Sequence, residues 1–324
     1  MARHFGTLWS LVREFNLGEL REELEQPVRI ILAGLPSPDR QVVAECLGAG
    51  ATPSVFMVDL PLNDTARRWL ESADLVLVVV PEDRSLDATE RAAIEVAQRA
   101  PAAALVLTGR GYGRGQGATQ RPGSGLEAVI DLDLDRPPEM EIRLVDAVIR
   151  LLGTHGLALG RQVPRLRERI VERLIRETAI ANAQFAALSA LPGWIPILGG
   201  LAGDTADLLV LTKNQMLMVY KLAGVYGRDL HHARTLLLEI TPVAGGAFFW
   251  RTVARSLVGL LPGPLAVAPK AAIAYVGTAT VGEIARRYYR DGVRLSPDAI
   301  RDVQRRALAR FRGGDAPSAS PPAT

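Results

Sequence analysis

The chain predicts an α/β fold, a parallel sheet covered by helices on both faces, followed by an all-α domain of apolar helices. Three observations carry this reading. Short apolar runs alternate with amphipathic segments as far as Gly153, the pattern of strands buried on both faces and joined by crossover helices. Beyond Gly160 helical spacing takes over. Two long stretches of that second part are nearly free of charge: Thr178 to Gly203 holds none, and Ser256 to Gly282 holds only Lys270.

Taken in order, residues 1–26 read as an N-terminal amphipathic helix, with Phe5, Leu8, Trp9, Val12 and Phe15 on one side and a restart capped by Asn16 and Glu19. The opening MARHFGTLWSLVREF lacks an unbroken apolar core and a small-residue cleavage site, so no secretory signal is expected. Residues 27–155 form the α/β domain. Its strands are Val28–Gly34, Val55–Asp59, Ala73–Val80, a run ending at Leu107, and EAVIDLDLD; its helices are QVVAECLG, DATERAAIEVAQRA and MEIRLVDAVIRLLG. The Gly-rich GRGYGRGQGATQRPGSG reads as a surface loop, and one tyrosine is too little stacking surface for nucleic acid.

Residues 161–312 form the helical domain. Arg161 to Glu177 is a basic amphipathic helix, with Leu166, Ile170 and Leu174 on one side and Arg165, Arg169, Arg173 and Arg176 on another. The uncharged run from Thr178 exceeds the ~20 apolar residues that span a hydrocarbon core. Pro192 and Pro196 would break one straight helix, which suggests a membrane-embedded or membrane-lying hairpin with a Pro-Gly-Trp-Ile-Pro corner. Asp204, Asp207, Asn214 and Lys221 then fall three or seven apart, one polar stripe on an apolar helix. Unpaired burial of such groups costs ~2–7 kcal/mol, so they should face other helices or a wet cavity. A second apolar region is interrupted by Pro262, Pro264 and Pro269, and ARRYYR restores a basic flank. Ser296-Pro297-Asp298 starts the last helix, and residues 313–324 read as a disordered tail.

Lys and Arg number 38 against 35 Asp and Glu, but the arginines gather on both sides of the apolar regions. By the positive-inside rule both ends belong in the cytosol, with anionic headgroups as partners of the flanks. Cys46 is the single cysteine, which excludes an intramolecular disulfide and fits a reducing compartment. The four histidines are too scattered for a metal site, and Asp131, Asp133 and Asp135 read as strand-end charges rather than cation ligands.

Where a P-loop would stand, the chain has Gly34-Leu35-Pro36-Ser37-Pro38-Asp39-Arg40-Gln41. The motif G-x-x-x-x-G-K-[ST] aims backbone amides, a lysine and a metal-binding hydroxyl at phosphates. Here only Gly34 matches. Pro36 and Pro38 lack amide donors, Asp39 adds a negative charge, Arg40 keeps the positive charge in another shape, and Gln41 cannot replace the hydroxyl. The order of strands resembles small bacterial GTPases of the Era and dynamin-like kind. Asp59-Leu60-Pro61-Leu62 stands at their D-x-x-G without the glycine, and Thr108-Gly109-Arg110-Gly111 at N-K-x-D without the carboxylate. Only one strand fits between the first helix and Asp59, so the threonine-bearing switch loop is missing. Gly34, Arg40 and Asp59 are the remaining candidates for nucleotide contact.

ALPGWIPILGG and TKNQMLMVYKLAGVYG resemble the YcjF-like bacterial domain, with Asn214-Gln215-Met216 and Tyr226-Gly227 as the most specific part. The resemblance spans about Ile170 to Tyr289. It implies membrane association and a GTPase-like neighbour, and no reaction. The expectation is a pseudo-GTPase scaffold or regulator at the bacterial cytoplasmic membrane, with an unidentified protein partner, no catalytic or metal-ligating residue and no cofactor. The alternatives are a membrane switch that binds GTP by non-standard contacts, and a small channel built on the polar stripe.

Overall fold

A computed structural model of the chain describes residues 17–109, 126, 128–189, 203–230, 267–293 and 296–315. The aromatic face of residues 5–15, nearly all of the Gly-rich loop, the Pro192–Pro196 corner, most of the second apolar region and residues 316–324 of the tail lie outside them, while the expected disordered tail begins as a π-helical turn, Phe311–Asp315. The chain divides into two compact units, Glu22–Ile170 and Val171–Thr324 with Met1–Arg21.

The first unit is built on a sheet of five parallel strands: β1 (Ile30–Gly34), β2 (Val55–Asp59), β3 (Leu75–Pro81), β4 (Ala103–Gly109) and β5 (Ala128–Asp133), in the order β2-β1-β3-β4-β5. Helix α1 (Leu17–Glu25) precedes it. Crossovers are made by α2 (Pro38–Leu47), α3 (Asp64–Glu71) and α4 (Ala88–Ala97), and α5 (Pro137–Leu151) follows β5.

Alternation along β1 explains the two layers. Ile30 and Leu32 join a cluster with Val43 and Leu47 of α2 and Leu144 and Val148 of α5. Ile31 and Ala33 point the other way, to Leu70 of α3 and Ile94 of α4. All five β1 residues are therefore buried, which is why the strand reads as a continuous apolar run. Helix α3 has no counterpart in the sequence reading. It starts on Asn63, whose side chain accepts from the Ala66 amide at 2.8 Å, and Leu70 is its one buried residue. At eight residues the helix is amphipathic but too short for its period to repeat along the sequence.

Two features differ from expectation where the helical part begins. A short helix, α6 (Gly156–Gln162), precedes α7, and α7 runs unbroken from Pro164 to Ser189 over 26 residues. The basic segment and the start of the uncharged run are thus one helix, because no proline or glycine lies between Arg165 and Ser189. At the other end of the sheet from its strand tips, Gln162 ties the layers. Its Oε1 accepts from the Val28 amide at 3.1 Å and the Ser54 hydroxyl at 3.0 Å, and its Nε2 donates to Gln26 O at 2.6 Å.

The second unit contains the rest of α7, α8 (Gly203–Val225), α9 (Val267–Asp291) and α10 (Pro297–Arg310). Ser296 caps α10, accepting from the Ala299 amide at 3.2 Å. Asn214 and Gln215 lie level with Thr278, and Tyr226 stacks on Tyr289 at 6.4 Å, so α8 and α9 advance in the same direction. Ile175 packs on Gly282 and Asn182 on Thr278, so α7 runs against α9. A Cβ on Gly282 would stand 2.7 Å from both Ile175 Cγ1 and Cγ2. Close approach of these helices therefore requires glycine there. No helix among the described residues is long and apolar enough to cross a membrane.

Candidate functional site

In an open parallel sheet, ligands bind beyond the carboxyl ends of the strands where the strand order reverses. Here that point lies between β1 and β3. Gly34, Arg40 and Asp59 meet beside it.

Gly34 ends β1, and a Cβ added to it would stand 2.7 Å from the carbonyl oxygen of Val79 on β3. Sheet geometry alone accounts for the glycine. Arg40 sits in the first turn of α2 and is only 5 % exposed. Its guanidinium turns back under the loop: Nη1 donates to Gly34 O at 2.5 Å and Val58 O at 3.0 Å, and Nη2 donates to Asp59 Oδ1 at 2.5 Å. Asp59, with its side chain 68 % exposed, ends β2. The three candidates are brought together and engage one another through both Nη atoms of Arg40, while its buried Nε has no hydrogen-bond partner among the described residues.

The amides around them are largely engaged. Ser37 caps α2, its Oγ accepting from the Arg40 amide at 3.1 Å, and the Gln41 amide donates to Ser37 O at 3.1 Å. The Leu60 amide donates to Gly34 O at 3.3 Å. With Pro36 and Pro38 donating nothing and Asp39 in the first turn of α2, the helix end is a poor anion site.

Across the reversal point, the loop from β3 to α4 is locked by Glu90. This carboxylate is fully buried, and Arg84 grips it with two donors, Nη1 to Oε2 at 2.8 Å and Nη2 to Oε1 at 2.5 Å. Glu90 also accepts from the Asp87 amide at 3.0 Å, while Asp87 Oδ1 accepts from the Glu90 amide at 2.8 Å, a reciprocal capping box. The Glu90 amide and then the Thr89 hydroxyl hold Asp87 below its ordinary pKa of 3.8. The pattern D-x-x-E was readable in the sequence; that its glutamate is gripped by Arg84 was not.

Thr108 is buried with its hydroxyl donating to Val80 O at 3.3 Å, and Gly109 ends β4, while Arg110 and Gly111 lie outside the described residues. Asp133 pairs with Arg136 at 3.8 Å and accepts from the Asp135 amide at 3.1 Å. Cys46 packs against the α2 side of the core, and burial pushes its thiol upward. Among the described residues no cluster of histidine, cysteine and acidic groups could hold a metal.

The helical unit carries a second polar cluster. Asn182 of α7 and Thr278 of α9 are both fully buried, and Asn182 Nδ2 donates to Thr278 Oγ1 at 2.8 Å. Asn214 Nδ2 donates to Asn182 Oδ1 at 2.8 Å, and Gln215 Nε2 donates to Thr278 Oγ1 at 3.0 Å. Of the polar stripe, Asn214 is in this network. Lys221 is half-buried on the same helix, and the side chains of Asp204 and Asp207 lie outside the described part. Asn182, Gln215 and Thr278 were not singled out as site residues. Their signal was simple: isolated polar residues within apolar stretches.

No family model matches the chain, and no curated protein matches it.

Proposed function

We propose that the chain is a membrane-associated pseudo-GTPase, a scaffold or regulator whose α/β unit is a docking surface rather than a hydrolase. The observation that supports this most is the use of Arg40. The one cation at the P-loop position is buried and engaged by Gly34 O, Val58 O and Asp59. Binding a triphosphate there would require pulling a buried guanidinium from Asp59 and stripping two strand carbonyls of their donor.

The membrane part of the reading is supported by sequence: the uncharged, proline-broken run through Pro192 and Pro196, its counterpart around Pro262 and Pro264, the arginine flanks, and the resemblance to the YcjF-like domain. The location that follows is the bacterial cytoplasmic membrane with both ends in the cytosol, and the occupants of the docking surface are protein partners. Two measurements test the proposal. Calorimetry and thermal shift of the full chain with millimolar GTP, GDP or ATP should give no signal, and a bound nucleotide would reject the pseudo-GTPase reading. Carbonate washing of cell membranes should leave the chain in the pellet, and complete release would reject embedding.

A further inference from the structure

The arginine flanks, far apart in sequence, converge. Helices α7, α9 and α10 enclose a groove of about 310 Å³. Its rim carries Arg176 from α7, Arg286 and Arg287 from α9, and Arg306 and Arg310 from α10. Among the described residues, two carboxylates line the groove with these five guanidinium groups: Glu283 pairs with Arg286 at 3.3 Å and Arg287 at 2.9 Å, and Glu172 pairs with Arg310 at 3.5 Å. The groove therefore keeps a positive excess. Its floor is different in kind, made by Ile175, Tyr275, Ala279, Val303 and Ala307. An apolar floor under a cationic rim suits a ligand with a phosphate at one end and alkyl chain below it.

We infer that this groove seats the phosphate headgroup of an anionic membrane phospholipid, with the start of its acyl chains over Tyr275 and Val303. The inference rests on the membrane reading above and assigns it a place. A surface helix with scattered arginines would be drawn to any anionic surface; a groove lined from three helices selects through position. Arg301 and Arg305 on the same α10 lie outside the groove, pairing with Asp298 and Asp302, and so provide a control of equal charge.

The test measures binding of the full chain to vesicles of phosphatidylcholine alone and of phosphatidylcholine mixed with phosphatidylglycerol. Wild type should prefer the anionic vesicles, and Arg176→Gln with Arg306→Gln should weaken that preference about thirtyfold, the scale of two arginines near a charged surface. Arg301→Gln with Arg305→Gln should leave most of it. Equal loss in both pairs would mean unspecific charge and overturn the assignment. Equal binding of wild type to both vesicles would overturn the groove while leaving the membrane reading intact. Salt-reversible binding to anionic vesicles alone, with full carbonate release from cells, would keep the groove and remove the embedded segments. Binding of glycerol phosphate with no vesicle binding would replace lipid by a soluble phosphate and overturn the inference.

Discussion

Arg40 and Asp59 meet across the tips of β1 and β2, a buried guanidinium 2.5 Å from an exposed carboxylate. The two ends of this pair are not equivalent. Arg40 has two strand carbonyls as further acceptors, while Asp59 is well solvated. Arg40→Ala should therefore destabilise the α/β unit by roughly 2–4 kcal/mol, and Asp59→Asn by about 1 kcal/mol or less. Denaturant unfolding read by amide exchange in β1 and β2 distinguishes them. Equal effects would mean that the ion pair, not the carbonyl contacts, holds the strand tips.

Glu90 invites the reverse comparison, since here the carboxylate is the buried member. Glu90→Ala should cost about 2–3 kcal/mol by removing the capping box and leaving Arg84 with the Ser85 carbonyl in place of its carboxylate acceptor. Arg84→Ala should cost a similar amount, because it leaves a fully buried carboxylate with the Asp87 amide as its remaining partner. Hydrogen exchange over residues 82–90 should rise in both variants.

Asp87 links the same loop to acidity. Its folded-state pKa lies below the ordinary 3.8, so its stabilising contribution is complete above that value and is lost as pH falls through the lower folded value. The stability gap between wild type and Asp87→Ala should therefore be constant near neutrality and shrink below about pH 4. A gap that stays constant down to pH 2 would remove the carboxylate's share in the cap.

In the helical unit, Asn182→Ala should cost roughly 2–3 kcal/mol, since Thr278 and Asn214 lose a buried partner. Asn182→Leu combined with Thr278→Val should cost less than the sum of its parts, because the pair's mutual desolvation disappears with both members. A double-mutant cycle measures the coupling.

Gly282→Ala tests the approach of α7 and α9. The added methyl meets both Cγ carbons of Ile175, so a loss of about 1–3 kcal/mol is expected, partly restored by Ile175→Ala, which removes both of those carbons. No restoration would place the strain elsewhere.

Much of the architecture was legible from residues alone. Strands buried on both faces must be apolar throughout, so β1 and β3 announced themselves, and the capped start at Ser296 did likewise. Helix α3 stayed hidden because eight residues are too few for an amphipathic period to repeat. At α7 the change from charged to uncharged composition does not end the helix, because it brings neither proline nor glycine.

For the candidate site, the departure from the P-loop pattern was readable in the residue types, since missing amides and an added carboxylate are properties of the residues themselves. Which way Arg40 turns was a different matter. Its acceptors lie on two strands that neighbour each other only in the folded sheet, and Asn182 finds Thr278 across a separation of 96 positions. Composition and local spacing specify which groups need partners. Folding chooses the partners, because burial makes every polar atom depend on whatever the rest of the chain brings within 3 Å or so of it.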